Sequence, residues 1–258
     1  MRFLMETALL THGLASVSNE ELLAAWPFRE PCLAWMEDGR VRTGSMEEFL
    51  PFRDRADEAV RVSCHSLDQA AAKKRQGALT ASGTMLAASR MGISAAVTCG
   101  MGGIGDIRGE TLCPDLPAVR DLPVALIAAT PKDVVDIGAT LRWFRREHVP
   151  VYGRYEAFDS GFMAVGERFP LDGVWDGSFP KAPLLLLNPI PEAERPGTAE
   201  MVAKAKAAGK AAEARGEAYH PAANRFFDRA TGGLTSRLQL RQLIENGLWA
   251  RELTEEKG

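Results

Sequence analysis

The stretch that decides the fold is Val124-Ala-Leu-Ile-Ala-Ala-Thr-Pro-Lys-Asp-Val-Val-Asp-Ile-Gly-Ala-Thr-Leu-Arg-Trp-Phe144. Its first six residues are all apolar, as expected of a strand that is covered on both faces of a sheet. Apolar side chains then recur three and four positions apart at Val134, Ile137, Leu141 and Phe144, which predicts a helix over 131–146. A buried strand followed at once by an amphipathic helix is typical of α/β folds.

The same alternation of strands and helices continues on both sides of this stretch. Short apolar, β-branched runs predict further strands at 32–36, 59–63, 94–99, 149–152 and 184–187. Helical periodicity or composition predicts helices at 84–90, 200–217 and 238–253. The segment 153–182 has no clear period, and we interpret it as a long loop or flap over a site. The sequence contains no internal repeat and no linker, so we predict a single α/β domain over residues 1–258.

Composition excludes several classes of protein. The 258 residues are 46% hydrophobic and 25% charged, which is typical of a folded globular chain. Lys plus Arg number 31 and Asp plus Glu 34, a net charge of −3 that argues against nucleic acid as a partner. The four cysteines form no Cys-x-x-Cys pair, and no apolar run is long enough to span a membrane. We therefore expect free thiols, no membrane partner and a cytoplasmic location.

A glycine-rich motif, Gly100-Met-Gly-Gly-Ile-Gly105, follows the predicted strand at 94–99 and matches G-x-G-x-x-G. In a dinucleotide-binding fold it would open a helix, and the next strand would end in an acidic residue. Here Gly109 and Pro114 interrupt the following segment, and the strand at 124–129 ends without an acid. Two interpretations stay open: backbone N–H groups that approach an anion, or a tight connection that needs glycine.

Lys132 and Glu6 are the two residues whose positions most suggest chemistry. With Thr130 as cap and Pro131 at the first helical position, Lys132 would lie in the first turn of a helix. The positive end of the helix dipole would lower its pKa there, and an imine-forming nucleophile needs such a lysine. The alternative is a solvated surface lysine. Glu6 interrupts an apolar, strand-like run, so it is either a buried acid with a raised pKa or a surface residue of an edge strand.

Histidine spacing points to no site. The four histidines have no paired spacing, so the sequence gives little support to a histidine metal cage or a catalytic triad. They lie at His12, His65, His148 and His220.

Eight segments, in order along the chain, together resemble the pseudouridine-5′-phosphate glycosidase family, also called indigoidine-synthase-A-like proteins. The segments are Glu6-Thr-Ala-Leu-Leu-Thr-His-Gly13, Arg61-Val-Ser63, Gly83-Thr-Met85, Val97-Thr-Cys-Gly-Met-Gly-Gly103, Pro131-Lys-Asp-Val-Val-Asp-Ile-Gly138, Val149-Pro-Val-Tyr-Gly153, Asn188-Pro-Ile-Pro191 and Ala230-Thr-Gly-Gly233. The resemblance implies an α/β/α sandwich with a central mixed sheet that assembles as a homotrimer.

The resemblance also implies an activity: reversible cleavage of the C–C glycosidic bond between ribose 5-phosphate and a base-like ring. Lys132 matches the lysine that forms an imine at the anomeric carbon, and Glu6 matches the acid that moves the proton. No organic cofactor is implied. By the same resemblance, further positions would bind substrate: Arg61, Ala81, Gly102, Gly103, Cys113, Asp115, Asn188 and Gln239.

This chain departs from the family pattern at several of these positions. Arg61 replaces a lysine, Cys113 a serine and Gln239 an asparagine, and the histidine that follows the glycine motif is missing. The family implies Mn²⁺, but its metal-binding aspartate corresponds to Thr111, so Glu110 or Asp106 would have to substitute.

Three functions therefore remain as hypotheses. The first is cleavage of pseudouridine 5′-phosphate, and the second is a synthase that joins ribose 5-phosphate to a non-uracil ring. The third is an inactive relative that only binds a phosphosugar. Because Lys132 and Glu6 are retained, the two enzyme hypotheses are favoured over the inactive relative.

Overall fold

The structure is a computed structural model, and it describes residues 2–255. The strands of this range are β1 Phe3–Met5, β2 Leu33–Glu37, β3 Arg40–Gly44, β4 Val60–Val62, β5 Gly77–Leu79, β6 Ala95–Val97, β7 Gly100–Met101, β8 Ala125–Ala128, β9 Thr130–Pro131, β10 Val151–Gly153, β11 Phe158–Asp159, β12 Phe169–Pro170, β13 Gly173–Val174 and β14 Leu185–Leu187. The helices are α1 Ala8–His12, α2 Asn19–Ala25, α3 Met46–Arg53, α4 Leu67–Ala72, α5 Ala81–Arg90, α6 Asp115–Asp121, α7 Ile137–Arg146, α8 Ala199–Ala214, α9 Tyr219–Ala230 and α10 Leu234–Thr254.

One mixed sheet crosses the molecule in the order β13-β10-β14-β8-β6-β1-β2-β5-β4, with β3 paired to β2. Strands β13 to β2 pair in parallel, whereas β5 runs antiparallel to β2. β1 and β5 therefore run in opposite directions. They belong to opposite halves of the sheet, and their carboxyl ends point at each other. Thr7 joins them, because its N–H donates to the Leu79 carbonyl at 3.2 Å and its hydroxyl to the Ala34 carbonyl at 2.7 Å.

Helices cover both faces of the sheet, and alternate strand residues point to different layers. Phe3 and Met5 pack in one buried cluster with residues of α9 and α10, while Leu4 packs in the other with residues of α5 and α6. The predicted α/β/α sandwich with a central mixed sheet is confirmed. Within residues 2–255, no helix is long and apolar enough to cross a membrane.

All six predicted strands are present, with bounds that differ by one or two residues, and the prediction missed β1, β3, β5 and β13 in the main sheet. β2 and β3 form a hairpin whose turn residues, Asp38 and Gly39, have φ of 48° and 76°. Asp-Gly is the usual sequence of such a turn, so this signal was available in the sequence.

The predicted start of the helix after Thr130 is wrong. Thr130 and Pro131 form β9, which pairs in parallel with β7, and the Lys132 N–H donates to the Met101 carbonyl at 3.1 Å. Helix α7 begins only at Ile137, where the Asp136 carboxylate caps it by accepting the Ala139 N–H at 2.7 Å. Lys132 is therefore outside the helix, and the argument from the helix dipole does not apply to it.

Three other predicted helices differ in extent from the observed ones, and the predicted loop contains strands. The helix predicted at 200–217 ends at Ala214, because Gly216 has a φ of 80° before α9 begins. The helices predicted at 84–90 and 238–253 correspond to α5 and α10, which begin earlier, at Ala81 and Leu234. The predicted loop at 153–182 contains β11 and β12, which pair with each other, and β13, which extends the main sheet.

Candidate active site

The predicted catalytic residues meet at the carboxyl edge of the sheet. Glu6 directly follows β1, and Lys132 follows β9, which continues the line of β8. The Glu6 N–H donates to the Val97 carbonyl at 2.9 Å, which places Glu6 beside the end of β6. Ligand sites of open α/β sheets usually lie at this edge, where strand order or direction changes.

Glu6 is a buried acid, only 6% exposed. Burial raises the pKa of its carboxyl, while the Lys132 ammonium, the Thr98 side chain and the Arg61 guanidinium act in the opposite direction. The charges of Lys132 and Arg61 therefore act on the Glu6 carboxyl. A carboxyl with a raised pKa can give and take a proton near neutral pH.

The Lys132 side chain runs past a glycine. A Cβ atom at Gly100 would lie 3.0 Å from Lys132 Cγ and 2.8 Å from Phe162 Cζ, so a larger residue would push the lysine stem aside. Over the described range, the half-buried Lys132 ammonium has no carboxylate within 4.0 Å. Its neighbour Asp133 accepts the N–H groups of Phe162, Met163 and Ala164 at 2.6–3.1 Å. The turn at 162–164 is thus a fixed wall of the site.

The glycine motif brings one backbone N–H group, that of Gly102, to a carboxyl group of the chain itself. Asp115 accepts the Gly102 N–H at 2.9 Å and the Ser82 N–H at 3.0 Å. A Cβ atom at Gly102 would lie 2.2 Å from Cys113 Sγ, so the tight connection also requires glycine. The tight connection is therefore confirmed at Gly102, whereas the approach of an anionic ligand to the motif stays a prediction.

The other predicted substrate-binding residues of this region are buried. Ala81 is the first residue of α5, next to Ser82. Gly103 packs against Val135 and Thr140, and its carbonyl accepts the Cys113 N–H at 3.2 Å. Burial raises the pKa of the Cys113 thiol well above its ordinary value, with the Asp115 charge acting in the same direction. Cys113 is therefore held as a neutral thiol.

Arg61 of β4 lines a cavity of about 290 Å³. Within residues 2–255, its guanidinium makes no ion pair within 4.0 Å. The cavity also has Arg108, Glu110 and His220 in its wall. An unpaired guanidinium beside a cavity can bind a phosphate group in a bidentate fashion.

His220 is the residue that the sequence reasoning missed. It lies in the first turn of α9, is 8% exposed, and its Nε2 is 3.3 Å from Glu110 Oε2. Burial lowers the pKa of His220, Glu110 opposes this, and the charges of Lys132 and Arg61 lower it further. No histidine spacing could have found it, because its partner lies 110 residues away in the chain.

Asn188 contacts helix α10 through hydrogen bonds, whereas Gln239 is itself a residue of that helix. Asn188 follows β14 and donates to Asn246 Oδ1 at 2.9 Å, and its carbonyl accepts from Gln242 at 2.6 Å. Asn246 in turn donates to the Thr98 carbonyl at 2.8 Å. Gln239 is 2% exposed, and its Oε1 has no hydrogen-bond partner in the described part of the chain.

The candidate metal ligands do not assemble into a manganese site. Asp106 pairs with Lys210 at 3.1 Å and Glu110 with His220, while Thr111 is exposed and offers no charge. From residue 2 to residue 255, no three His, Cys, Asp or Glu side chains are grouped to hold a metal ion. The residues present in the described range therefore do not fit a manganese ion.

Comparisons with known proteins show the family of the chain. A family model described as "Indigoidine synthase A like protein" matches residues 4–172. The pseudouridine-5′-phosphate glycosidase of Methylobacterium nodulans is 30% identical over 96% of this chain and 81% of its own length. That of Cupriavidus pinatubonensis is 30% identical over 82% of this chain and 74% of its own length.

Two solved structures share the fold. An indigoidine synthase A-like protein from Thermotoga maritima superposes with a TM-score of 0.77 at 20% identity, covering 98% of this chain and 92% of that one. The prealnumycin C-glycosynthase AlnA, solved in complex with ribulose 5-phosphate, gives 0.74 at 22% identity, covering 98% and 91%.

Proposed function

The chain belongs to the indigoidine synthase A-like family, and from this premise we propose that it makes or breaks a C–C glycosidic bond between ribose 5-phosphate and a base-like ring. The observation that carries the proposal is that Lys132 and the buried Glu6 lie at the same edge of the sheet, each directly after a strand. We further propose that the enzyme is a cytoplasmic homotrimer and needs no organic cofactor.

In the cleavage direction, the Lys132 amine bonds to the anomeric carbon as the bond from that carbon to the ring oxygen breaks, and a proton passes from the nitrogen to the ring oxygen, which leaves as a hydroxyl. The nitrogen lone pair then forms the C=N bond while the carbon–carbon bond breaks. Its electron pair goes to the leaving ring carbon, which takes a proton from Glu6. Water hydrolyses the imine to ribose 5-phosphate and free Lys132, and the synthetic direction reverses these steps.

The remaining residues bind and orient the substrate in this proposal. Arg61 takes the phosphate, because it is an unpaired cation on the wall of the cavity next to Glu110 and His220. Asp115 is held by two backbone N–H groups, so its carboxyl group is fixed in position beside the glycine motif. Gly100 leaves room for the Lys132 stem.

Trapping of the imine tests the proposal. Sodium cyanoborohydride with ribose 5-phosphate should leave a reduced adduct on Lys132, detected by intact mass and peptide mapping. Lys132→Arg, which keeps the charge, should give no adduct, and Lys204→Arg on the exposed face of α8 serves as the matched control. An active enzyme whose Lys132 stays unmodified would overturn the mechanism.

A second candidate is a synthase whose acceptor ring is not uracil. The observation that favours it is Gln239, whose buried Oε1 has no hydrogen-bond partner among residues 2–255, at a position where the resemblance implies the shorter asparagine. Lys132 and Glu6 keep their roles in this alternative.

A further inference from the structure

We propose that Phe162 and Asp133 are positioning residues for Lys132. Asp133 fixes the turn that carries Phe162, and the Phe162 ring fixes the Lys132 side chain. Neither residue touches the substrate in this proposal. The inference rests on the proposed function, because the direction of the lysine matters only if its amine attacks the sugar.

The backbone of Lys132 is fixed at both of its polar groups, but the ammonium group is not. The Lys132 N–H donates to the Met101 carbonyl at 3.1 Å, and the Lys132 carbonyl accepts the Val135 N–H at 3.0 Å. Among residues 2–255, no carboxylate lies within 4.0 Å of the ammonium. A lysine side chain is long and flexible, and it gives up much rotamer freedom when it is ordered. Packing of the stem therefore decides where the amine points.

The Phe162 ring and the Lys132 stem lie side by side over Gly100. A Cβ atom at Gly100 would be 2.8 Å from Phe162 Cζ and 3.0 Å from Lys132 Cγ, so both side chains pack against the same point of the glycine backbone. The Phe162 side chain is only 3% exposed, so its ring belongs to the close-packed interior. The ring and the glycine backbone together restrict the directions that the lysine stem can take.

Asp133 holds the turn that carries this ring, and it is the residue that directly follows Lys132. Its Oδ1 accepts the Phe162 N–H at 2.8 Å, and its Oδ2 accepts the N–H groups of Met163 and Ala164 at 2.6 and 3.1 Å. Three hydrogen bonds to one carboxyl group tie the turn to the segment that carries the lysine. A side chain supported in this way keeps the geometry that a reaction needs.

The direction of the amine should affect the reaction but not the binding of the sugar phosphate. A misplacement of about 1 Å can slow an enzymatic step about 10²-fold. The phosphate is bound by Arg61 of β4 in the proposed function, and Arg61 does not depend on the lysine stem. A disturbed stem should therefore slow imine formation and leave the affinity for ribose 5-phosphate unchanged.

The test is the rate of cyanoborohydride trapping on Lys132, measured over a range of ribose 5-phosphate concentrations. We expect Phe162→Ala to lower the maximal rate about 10-fold or more and to leave the half-saturating concentration near the wild-type value. Phe162→Leu keeps apolar bulk and should recover most of the rate. Asp133→Asn cannot accept all three N–H groups, because its amide NH₂ is a donor, so it should also lose maximal rate.

The matched control is Phe144→Ala, which removes an equally buried ring near the end of α7 that is remote from Lys132. It should trap at the wild-type rate. An equal loss of rate in Phe144→Ala would show that any large cavity in the core slows trapping, and would overturn the inference.

A double-mutant cycle tests the contact itself. Gly100→Ala adds the methyl group that crowds both side chains, so it should slow trapping. Phe162→Leu shortens the ring side and makes room for this methyl group. The loss caused by Gly100→Ala should therefore be smaller in the Phe162→Leu background than in the wild type. Equal losses in the two backgrounds would show that the ring and the stem act independently, against the inference.

The outcomes separate this inference from the proposed function. If wild-type Lys132 is trapped, and Phe162→Ala and Asp133→Asn keep the wild-type rate or change only the half-saturating concentration, the positioning role is wrong and the function stands. If wild-type Lys132 is never trapped, the proposed function itself fails. Should Phe162→Ala not fold, the double-mutant cycle with Phe162→Leu decides.

Discussion

At the scale of single residues, Glu6 shows how burial prepares an acid for catalysis. The carboxyl is 6% exposed, and its loss of hydration outweighs the attraction of Lys132 and Arg61, so its pKa rises. A carboxyl with a raised pKa beside the Lys132 side chain is suited to give and take a proton during the reaction.

We expect Glu6→Gln to separate imine formation from turnover. Glutamine keeps the shape and the neutral charge of the protonated acid but cannot donate its proton. Trapping of ribose 5-phosphate on Lys132 should stay near the wild-type rate, and turnover should fall about 10²-fold or more. Glu20→Gln, an exposed position at the start of α2, is the matched control. Normal turnover by Glu6→Gln would make Glu6 a structural residue.

At the scale of elements, β9 and the hairpin of β11 and β12 form one unit around Lys132. The Thr130 hydroxyl of β9 donates to the Asp159 carboxylate of β11, and Asp159 accepts the Gly161 N–H at 3.1 Å. Asp133 binds the turn at 162–164 from the other side of Lys132. Phe162 is only 3% exposed, which is why this segment cannot behave as a free flap.

This unit should make stability depend on pH through Asp159. Burial raises the pKa of Asp159 from 3.8 to about 6, against the opposing effects of Thr130, Gly161 and Arg195. The folded state therefore binds more protons than the unfolded state between these values, so the group's contribution is full below pH 4 and is lost as pH rises through 6.

We expect the free energy of unfolding of the wild type to fall by about 2–3 kcal/mol between pH 4 and 7, relative to Asp159→Asn. Urea unfolding at several pH values measures the difference, with the exposed Asp57→Asn as control. The opposite slope, or no change in the difference, would contradict the raised pKa of Asp159.

At the scale of the whole molecule, the direction of α10 decides what covers the site. The Thr254 carbonyl accepts from Arg2, next to the start of β1, at 2.7 Å, while Asn246 reaches Thr98 beyond the end of β6. The helix therefore runs antiparallel to these strands. Gln239 lies seven residues, about 10 Å, before Asn246 on the same helix face, beyond the carboxyl edge of the sheet.

This arrangement leads to a prediction about the acceptor ring. A site that hydrogen-bonds uracil discriminates strongly, because its buried polar groups otherwise stay unpaired. Gln239 is a change in one such buried polar group relative to the family pattern. Arg61 also lines a second cavity of about 790 Å³, which is large enough for a bulkier ring. We expect pseudouridine 5′-phosphate to be a slow substrate compared with a panel of other C-ribosides. A kcat/KM of about 10⁴ M⁻¹s⁻¹ or more for pseudouridine 5′-phosphate would contradict this and favour the uracil reaction.

The sequence by itself determined those features that depend on residues close together in the chain. Apolar runs located six strands, because a strand buried on both faces is apolar at every position. The family resemblance, carried by short ordered motifs, identified Lys132 and Glu6. Element ends were less predictable: Pro131 suits a helix start, yet the backbone of Lys132 pairs with Met101 instead, because a strand partner 31 residues away competes with the local cap.

Only the tertiary structure decided which distant residues meet. The carboxyl ends of β1 and β5 converge because β2 pairs in parallel with one and antiparallel with the other, a choice that no local pattern encodes. The glycine motif binds Asp115 of the same chain, and His220 reaches Glu110, because separate segments pack on one edge of the sheet. Pairing of strands and burial of helix faces are long-range interactions, and they placed a histidine of α9 beside the cavity that Arg61 lines.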